Sequence, residues 1–176
     1  MRLFFGLSLP DEIRRAAAMR ADACRAAIPG RYTLAENYHI TLAFLGSVPQ
    51  DQLASAQRVL SACLRGMPAP TLTLGETGYF GRQQNGILIL RVSSEPALDN
   101  LHHLLVHTLI QSGLPADSGP FSPHITLARH AVLPDSPLPA GAALRFRPDA
   151  AHVFLSARDE TDTLRYTPLY SVPFSS

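Results

Sequence analysis

Residues 37–46 read Asn-Tyr-His-Ile-Thr-Leu-Ala-Phe-Leu-Gly, and the four residues from His39 to Leu42 return unchanged from His124 to Leu127. The second copy begins 85 residues after the first, close to half of the 176-residue chain. Each copy follows a segment with helical periodicity and a loop. We therefore expect two similar lobes, each contributing one strand to a shared cleft.

The order of residues within the repeat predicts which side chains reach that cleft. Successive side chains of a strand point to opposite faces. His39 and Thr41 therefore share one face, and the apolar side chains of Ile40, Leu42 and Phe44 share the other. The apolar face is expected to pack on helices, which leaves the histidine and threonine open to the cleft. The second copy predicts the same arrangement.

Two imidazoles and two hydroxyls in one cleft suit in-line displacement at phosphorus. One neutral histidine of the pair His39 and His124 would take a proton from the attacking oxygen, and the other, protonated, would give one to the leaving oxygen. Imidazole titrates near neutrality, so both forms are accessible together. The hydroxyls of Thr41 and Thr126 can donate to non-bridging phosphoryl oxygens without adding charge. This chemistry requires neither a metal ion nor another cofactor.

Periodicity along the rest of the chain predicts a mixed architecture. Helices are expected at about 10–28, 49–65 and 94–112, and strands at 3–7, 39–45, 71–74, 86–92, 124–127, 144–146, 152–156 and 164–172. This order predicts an α+β fold with the helices outside one or two antiparallel sheets. We expect a single domain over residues 1–176, made of two interleaved lobes. No glycine-rich nucleotide-binding motif occurs.

Composition excludes several classes of protein. Apolar residues make up 46% of the chain and charged residues 16%, which excludes a disordered chain. All 15 basic residues are arginine, so no lysine can form a Schiff base. The net charge of +1 argues against binding nucleic acid through bulk charge, so a phosphate must be held locally. With no membrane-spanning stretch in the sequence, we expect a cytoplasmic monomer without a membrane partner.

Three further residues are candidates for binding substrate. Arg129 lies five positions after His124, on the wrong face unless the strand ends or bulges near Ala128. Tyr166 and Phe44 can stack on a base, but core packing is the more frequent use of such side chains and is our expectation for both.

A second kind of site is conceivable on the third predicted helix. Asp99, His103 and His107 follow at intervals of four, so one helix face carries a carboxylate and two imidazoles. This pattern leaves a metal hydrolase open as an alternative. A solvated helix flank beside the leucine core is the interpretation we prefer.

Longer stretches around the repeat carry a family resemblance. The paired motifs resemble those of the two-histidine phosphoesterase superfamily. The flanking stretches look like its bacterial RNA 2′,3′-cyclic phosphodiesterase branch, whose members are also called 2′-5′ RNA ligases. They are Arg2-Leu3-Phe4-Phe5, Leu9-Pro10, residues 37–46, residues 120–129 and Arg165-Tyr166-Thr167-Pro168-Leu169.

The resemblance implies a bilobal α+β fold in which two pseudo-symmetric antiparallel sheets line a central cleft with the helices outside. It also implies hydrolysis of a 2′,3′-cyclic phosphate at an RNA 3′ end to a 2′-phosphate. It assigns His39 as proton donor and His124 as proton acceptor, and it places the phosphate against Thr41 and Thr126. Attack by a 5′-hydroxyl in place of water would give a 2′-5′ linkage. The implied partners are RNA 3′ ends with a cyclic phosphate, or small cyclic nucleotides. Open alternatives are an ADP-ribose cyclic phosphate, a 2′-5′ oligonucleotide, and a non-catalytic module that binds RNA ends.

Overall fold

The structure is a computed structural model that describes residues 1–94 and 96–175. Its helices are α1 (Asp11–Arg25), α2 (Leu53–Leu64) and α3 (Pro96–Gln111). Its strands are β1 (Arg2–Leu7), β2 (Arg31–Tyr32), β3 (Ile40–Ser47), β4 (Leu72–Arg82), β5 (Asn85–Ser94), β6 (His124–Ala131), β7 (Leu144–Phe146), β8 (Ala150–Arg158) and β9 (Leu164–Pro173).

The strands form two antiparallel sheets. The first has the order β3-β1-β8-β9 and the second the order β2-β6-β5-β4-β7. The repeated motif lies at the start of β3 in the first sheet and of β6 in the second. The predicted α+β fold with two antiparallel sheets is confirmed.

The two motif-bearing strands have equivalent surroundings. Strand β3 follows α1 and pairs with β1, the strand that precedes α1. Strand β6 follows α3 and pairs with β5, the strand that precedes α3. The helices cross between the sheets: α1 contacts β6 of the second sheet, and α3 contacts β3 of the first as well as β5 of the second. The crossing ties the two sheets into one packed unit.

Each helix packs on the sheets through one apolar face. On α3 all four leucines of this face are fully buried: Leu98, Leu101, Leu105 and Leu109. Burying a leucine side chain stabilises a fold by roughly 1.5–3 kcal/mol, so these apolar faces hold the helices on the sheets. Both cysteines, Cys24 and Cys63, are buried and free. In the described residues, no helix is both long and apolar enough to cross a membrane.

Some predicted boundaries differ from the structure. Ser94 belongs to β5, not to the third helix, and Glu95 lies outside the described residues. Strand β4 continues well beyond Leu74, because the long hairpin with β5 supplies backbone partners as far as Arg82. The two-residue strand β2 was not predicted; only its pairing with β6 makes it a strand.

Candidate active site

A cleft of about 760 Å³ opens between the two sheets beside β3 and β6. These two strands are in contact although they belong to different sheets. All seven residues that the sequence proposed for catalysis or substrate binding line this cleft: His39, Thr41, Phe44, His124, Thr126, Arg129 and Tyr166. The fold therefore brings both copies of the motif to one place.

The His39 ring is held by a backbone carbonyl and a hydroxyl. Its Nδ1 lies 2.7 Å from the carbonyl oxygen of Asn37, and its Nε2 lies 3.1 Å from Oγ1 of Thr41. A carbonyl oxygen only accepts, so Nδ1 carries the proton and donates it. In the neutral ring Nε2 is then the acceptor, and the Thr41 hydroxyl donates to it.

The second histidine is oriented in the same way. Nδ1 of His124 lies 2.7 Å from the carbonyl oxygen of Ser122, again two residues earlier. By the same argument Nδ1 is the donor, and Nε2 is the nitrogen left to take or give a proton. The two rings are therefore in the same tautomer when neutral.

Aromatic side chains surround His39. The rings of Phe4 and Tyr166 have their centroids 4.8 Å and 4.9 Å from that of His39, and Phe154 lies 6.0 Å away. Burial among these rings is the main effect that lowers the pKa of His39, the hydrogen bond to Asn37 opposes it, and the neighbouring His124 and Arg129 also lower this pKa. Together these effects place the pKa of His39 at about 4. The ring is therefore neutral at pH 7.

His124 has a similar environment, and the same kinds of effect act on its pKa. Phe80 meets its ring edge-on at 4.9 Å. Burial lowers the pKa of His124, the hydrogen bond to Ser122 opposes this, and the guanidinium groups of Arg129 and Arg91 add to the lowering. Both imidazoles therefore favour the neutral form more than a solvated histidine does.

A β-bulge in β3 corrects the prediction for Phe44. The register of β1 on β3 passes from Phe5 opposite Ala43 to Gly6 opposite Thr41, which leaves Leu42 as an extra residue. Alternation is therefore interrupted, and Leu42 and Ala43 are both buried. Phe44 turns towards the cleft and is 46% exposed, so its expected packing in the core is wrong.

The equivalent bulge occurs in β6 and reorients Arg129. Here the register passes from Leu88 opposite Ala128 to Ile89 opposite Thr126, so that Leu127 is the extra residue. The sequence placed Arg129 on the cleft side only if the strand ends or bulges near Ala128. The bulge is present, and the Arg129 side chain lines the cleft. Phe44 and Arg129 occupy the same position relative to their motifs, one aromatic and the other cationic.

Tyr166 has a mixed environment. It is half-buried and packs edge-on against Phe4 and His39, but it also lines the cleft. The prediction of a purely core side chain is therefore wrong for this residue as well. Its position beside β8 follows from sheet order, which the local sequence does not contain.

Asn37 is a site residue that sequence reasoning missed. Its buried side chain donates to the carbonyl oxygen of Leu164 at 2.7 Å and accepts from the backbone N–H of Tyr166 at 3.1 Å. Its own carbonyl orients His39. Asn37 thus joins the loop before β3 to β9 and positions two cleft residues. Its location two residues before the motif histidine was the available signal.

The possible metal ligands on α3, which are Asp99, His103 and His107, do not form a cluster. His103 donates from Nδ1 to the backbone carbonyl oxygen of Asp99 at 2.7 Å, so this contact uses no carboxylate. Across residues 1–94 and 96–175 no three His, Cys, Asp or Glu side chains converge as metal ligands would. These three residues form an ordinary helix flank.

Comparison with known proteins adds independent observations. A family model described as the 2′-5′ RNA ligase superfamily matches residues 9–160. An RNA 2′,3′-cyclic phosphodiesterase of Escherichia coli K12 is 34% identical over 96% of this chain and 93% of its own length. One of Geobacillus stearothermophilus is 33% identical over 86% of this chain, which spans only about half (48%) of that relative. The crystal structure of E. coli LigT complexed with 3′-AMP superposes with a TM-score of 0.83 at 30% identity, covering 99% of this chain and 98% of that one.

Proposed function

The chain belongs to the 2′-5′ RNA ligase superfamily, and from this premise we propose that it hydrolyses 2′,3′-cyclic phosphate ends of RNA to 2′-phosphomonoesters. The observation that carries the proposal is the pair His39 and His124, held in one cleft in the same tautomer by equivalent backbone contacts. The names of the E. coli and Geobacillus relatives support the same reaction. The reaction needs two proton transfers and no metal ion.

In the proposed reaction a water oxygen attacks phosphorus opposite O3′. His124 accepts the proton of the water at Nε2 while the P–O3′ bond breaks, and His39 delivers a proton from Nε2 to O3′. The P–O2′ bond stays intact, which leaves a 2′-phosphate and a free 3′-hydroxyl. Because the two rings are equivalent in orientation, the assignment of donor and acceptor rests on the family resemblance.

The substrate itself supplies the charge that this mechanism needs. A cyclic phosphate carries one negative charge, and an anion beside the imidazoles raises their pKa. The aromatic surroundings of His39 strengthen this effect, because charges interact more strongly where water is excluded. Proton uptake by His39 is then coupled to binding of the anion.

The remaining cleft residues stabilise the phosphoryl group in this proposal. Thr41 and Thr126 donate hydroxyl protons to the non-bridging oxygens, and Arg129 adds a charge-assisted hydrogen bond. In the empty cleft the Thr41 hydroxyl bonds Nε2 of His39. Substrate would therefore take over the Thr41 hydroxyl while His39 gains its proton.

Product analysis tests the reaction. We would incubate the protein with an oligoribonucleotide ending in a 2′,3′-cyclic phosphate, with EDTA present, and identify the terminus formed. A 2′-phosphomonoester that is absent with His39→Ala or His124→Ala is the expected result. A 3′-phosphate product would mean that O2′, and not O3′, is the leaving group. Binding without turnover would favour a binding module.

A modified leaving group separates the acid from the base. Sulfur at the 3′ position leaves without protonation, so a 3′-phosphorothiolate cyclic substrate needs no general acid. We expect it to restore turnover to His39→Ala and not to His124→Ala. The opposite pattern would exchange the two roles and leave the reaction class intact.

The same cleft supports the ligation reaction as a second activity. The equivalent tautomers of the two histidines allow the roles of acid and base to be exchanged with the direction of reaction. A 5′-hydroxyl would take the place of water and form a 2′-5′ phosphodiester. Excess RNA with a 5′-hydroxyl should then yield a joined product that His124→Ala cannot make.

A further inference from the structure

A second cavity of about 600 Å³ continues the cleft on one side. It shares four lining residues with the cleft: Arg129, Arg158, Leu164 and Tyr166. Beyond them it is lined by strand β2 and the residues after it, among them Arg31, Tyr32 and Leu34. We call this continuation the side groove.

The side groove carries positive charge that the protein does not neutralise. Arg31 and Arg129 are direct cross-strand partners on β2 and β6, and like charges so placed destabilise a sheet. Within residues 1–94 and 96–175, neither guanidinium lies within 4.0 Å of a carboxylate. Arg158, the third guanidinium, is paired with Asp162 at 3.3 Å. Two adjacent unpaired guanidinium groups beside a phosphate site favour a second anion.

The strand that presents Arg31 is firmly held. The backbone N–H of Thr33 donates to the carbonyl oxygen of Leu127, the last residue of the second motif, at 2.8 Å. The hydroxyl of Tyr32 donates to the carbonyl oxygen of Ile28 at 3.0 Å, and Arg25 stacks over the Tyr32 ring at 4.3 Å. The side groove is therefore formed before any ligand arrives.

The opposite end of the cleft has a different character. A cavity of about 430 Å³ there is lined by aromatic rings, including Phe80 and Phe121, and by the carboxylate of Asp117. Its lining includes no arginine among the described residues. Of these two cavities, the side groove is therefore the one that offers complementary charge to a polyanionic chain leaving the phosphate site.

We propose that the side groove binds the phosphodiester next to the cyclic end through Arg31, with Arg129 shared between this phosphodiester and the cyclic phosphate, so that the substrate is an RNA chain of at least two nucleotides. This inference rests on the proposed function and adds to it the subsite that distinguishes an RNA chain from a mononucleotide. Arg31 is a specificity-determining residue in this account. A nucleoside 2′,3′-cyclic phosphate lacks the second phosphate and does not use it.

Two substrates and one variant test the proposal. We would compare adenosine 2′,3′-cyclic phosphate with the dinucleotide ApA ending in a 2′,3′-cyclic phosphate. Arg31→Gln should lower kcat/KM for the dinucleotide by about tenfold, as expected for loss of one charge-assisted hydrogen bond, and change that for the mononucleotide less than twofold. The fold should survive, because Arg31 is exposed and its removal relieves like-charge repulsion.

A matched control variant isolates position from net charge. Arg145 is exposed on β7, at the other edge of the same sheet, so Arg145→Gln removes the same charge far from the side groove. Arg145→Gln should leave kcat/KM unchanged for both substrates. A dinucleotide with a neutral methylphosphonate linkage should be insensitive to Arg31→Gln. The salt dependence of dinucleotide binding should lose about 0.7 of its logarithmic slope in that variant.

The outcomes separate this proposal from the proposed function. Equal loss on both substrates, or no loss on the dinucleotide, overturns the role of the side groove while hydrolysis stands. Wild-type protein that hydrolyses neither substrate contradicts the proposed function. The side groove is then judged by binding of an RNA trinucleotide with a 2′-phosphate end, which Arg31→Gln must weaken if the groove holds a phosphodiester.

Discussion

A backbone carbonyl two residues before each histidine decides which ring nitrogen carries the proton. The carbonyl oxygens of Asn37 and Ser122 both accept from Nδ1, so the reactive nitrogen is Nε2 in both rings. Orientation by backbone is insensitive to the side chain at the accepting residue. It leaves side-chain groups such as the Thr41 hydroxyl available for substrate.

Removing a threonine hydroxyl should impair catalysis without changing the fold. Thr41→Val and Thr126→Val keep the shape of the side chain and lose a hydrogen-bond donor to the phosphoryl oxygens. We expect each to lower kcat by about 10²-fold. Steady-state kinetics on a dinucleotide cyclic phosphate measure this effect. Thr41→Ser should retain most activity, and Thr167→Val, on an exposed position of β9, should retain all of it.

The buried side chain of Asn37 should contribute to stability as well as to the site. Asn37→Ala leaves the carbonyl oxygen of Leu164 and the N–H of Tyr166 without their partner. An unsatisfied buried polar group costs about 1–3 kcal/mol, so urea denaturation should show a loss of this size. Asn100→Ala, on the exposed surface of α3, should shift the free energy of unfolding by no more than about 0.5 kcal/mol. Equal effects of the two variants would contradict a clamping role.

At the scale of elements, paired bulges adapt two ordinary strands to a site. Leu42 and Leu127 each add one residue to the register, and each bulge moves the residue two positions later to the cleft face. An unbulged strand would hide Phe44 in the core and aim Arg129 away from the phosphate. The repeated motif thus encodes a repeated irregularity as well as repeated side chains.

The bulge in β6 predicts a measurable electrostatic effect of Arg129. Its charge lowers the pKa of His39 and of His124. Arg129→Gln should therefore raise both pKa values, which histidine NMR titration measures, and lower kcat/KM by about 10- to 100-fold through loss of a charge-assisted contact. Arg147→Gln, outside the cleft, is the control. Unchanged histidine titration in Arg129→Gln would place its guanidinium away from the rings.

The local sequence contained the motif residues and the helix faces, and it lacked what depends on pairing between strands. The convergence of His39 with His124 could be predicted because identical local sequences adopt equivalent local structures. The bulge that exposes Phe44 arises in the register with β1, and strand β2 exists only through β6. The contacts of Asn37 reach residues 127 and 129 positions away, which no local pattern contains.

At the scale of the whole molecule, the helices couple the two sheets. Helix α1 starts from the first sheet and packs against β6 of the second, while α3 starts from the second and contacts β3 of the first. The buried histidine His102 on α3 reinforces this crossing by donating from Nδ1 to the carbonyl oxygen of Leu42 at 2.7 Å. Neither sheet can lose its helices without disturbing the other, so we expect unfolding in a single transition.

That coupling makes the stability of the entire chain sensitive to the protonation of three half-buried histidines. Burial lowers the pKa of His39 to about 4 and also lowers the pKa of His124 and His152. The unfolded chain binds protons at these rings near the ordinary pKa of 6.5, whereas the folded chain does not. Stability is therefore complete above pH 6.5 and falls as the pH decreases towards 4.

The His39 contribution should be visible in a single variant. A pKa lowered from 6.5 to about 4 corresponds to a loss on the order of 3 kcal/mol across this interval. Urea denaturation at intervals between pH 7.5 and pH 4.5 should show a shallower decline for His39→Gln than for the wild-type protein. His107→Gln removes an exposed imidazole and should follow the wild-type curve. Parallel curves for His39→Gln and the wild type would mean that the aromatic rings around His39 admit enough water to solvate its charge.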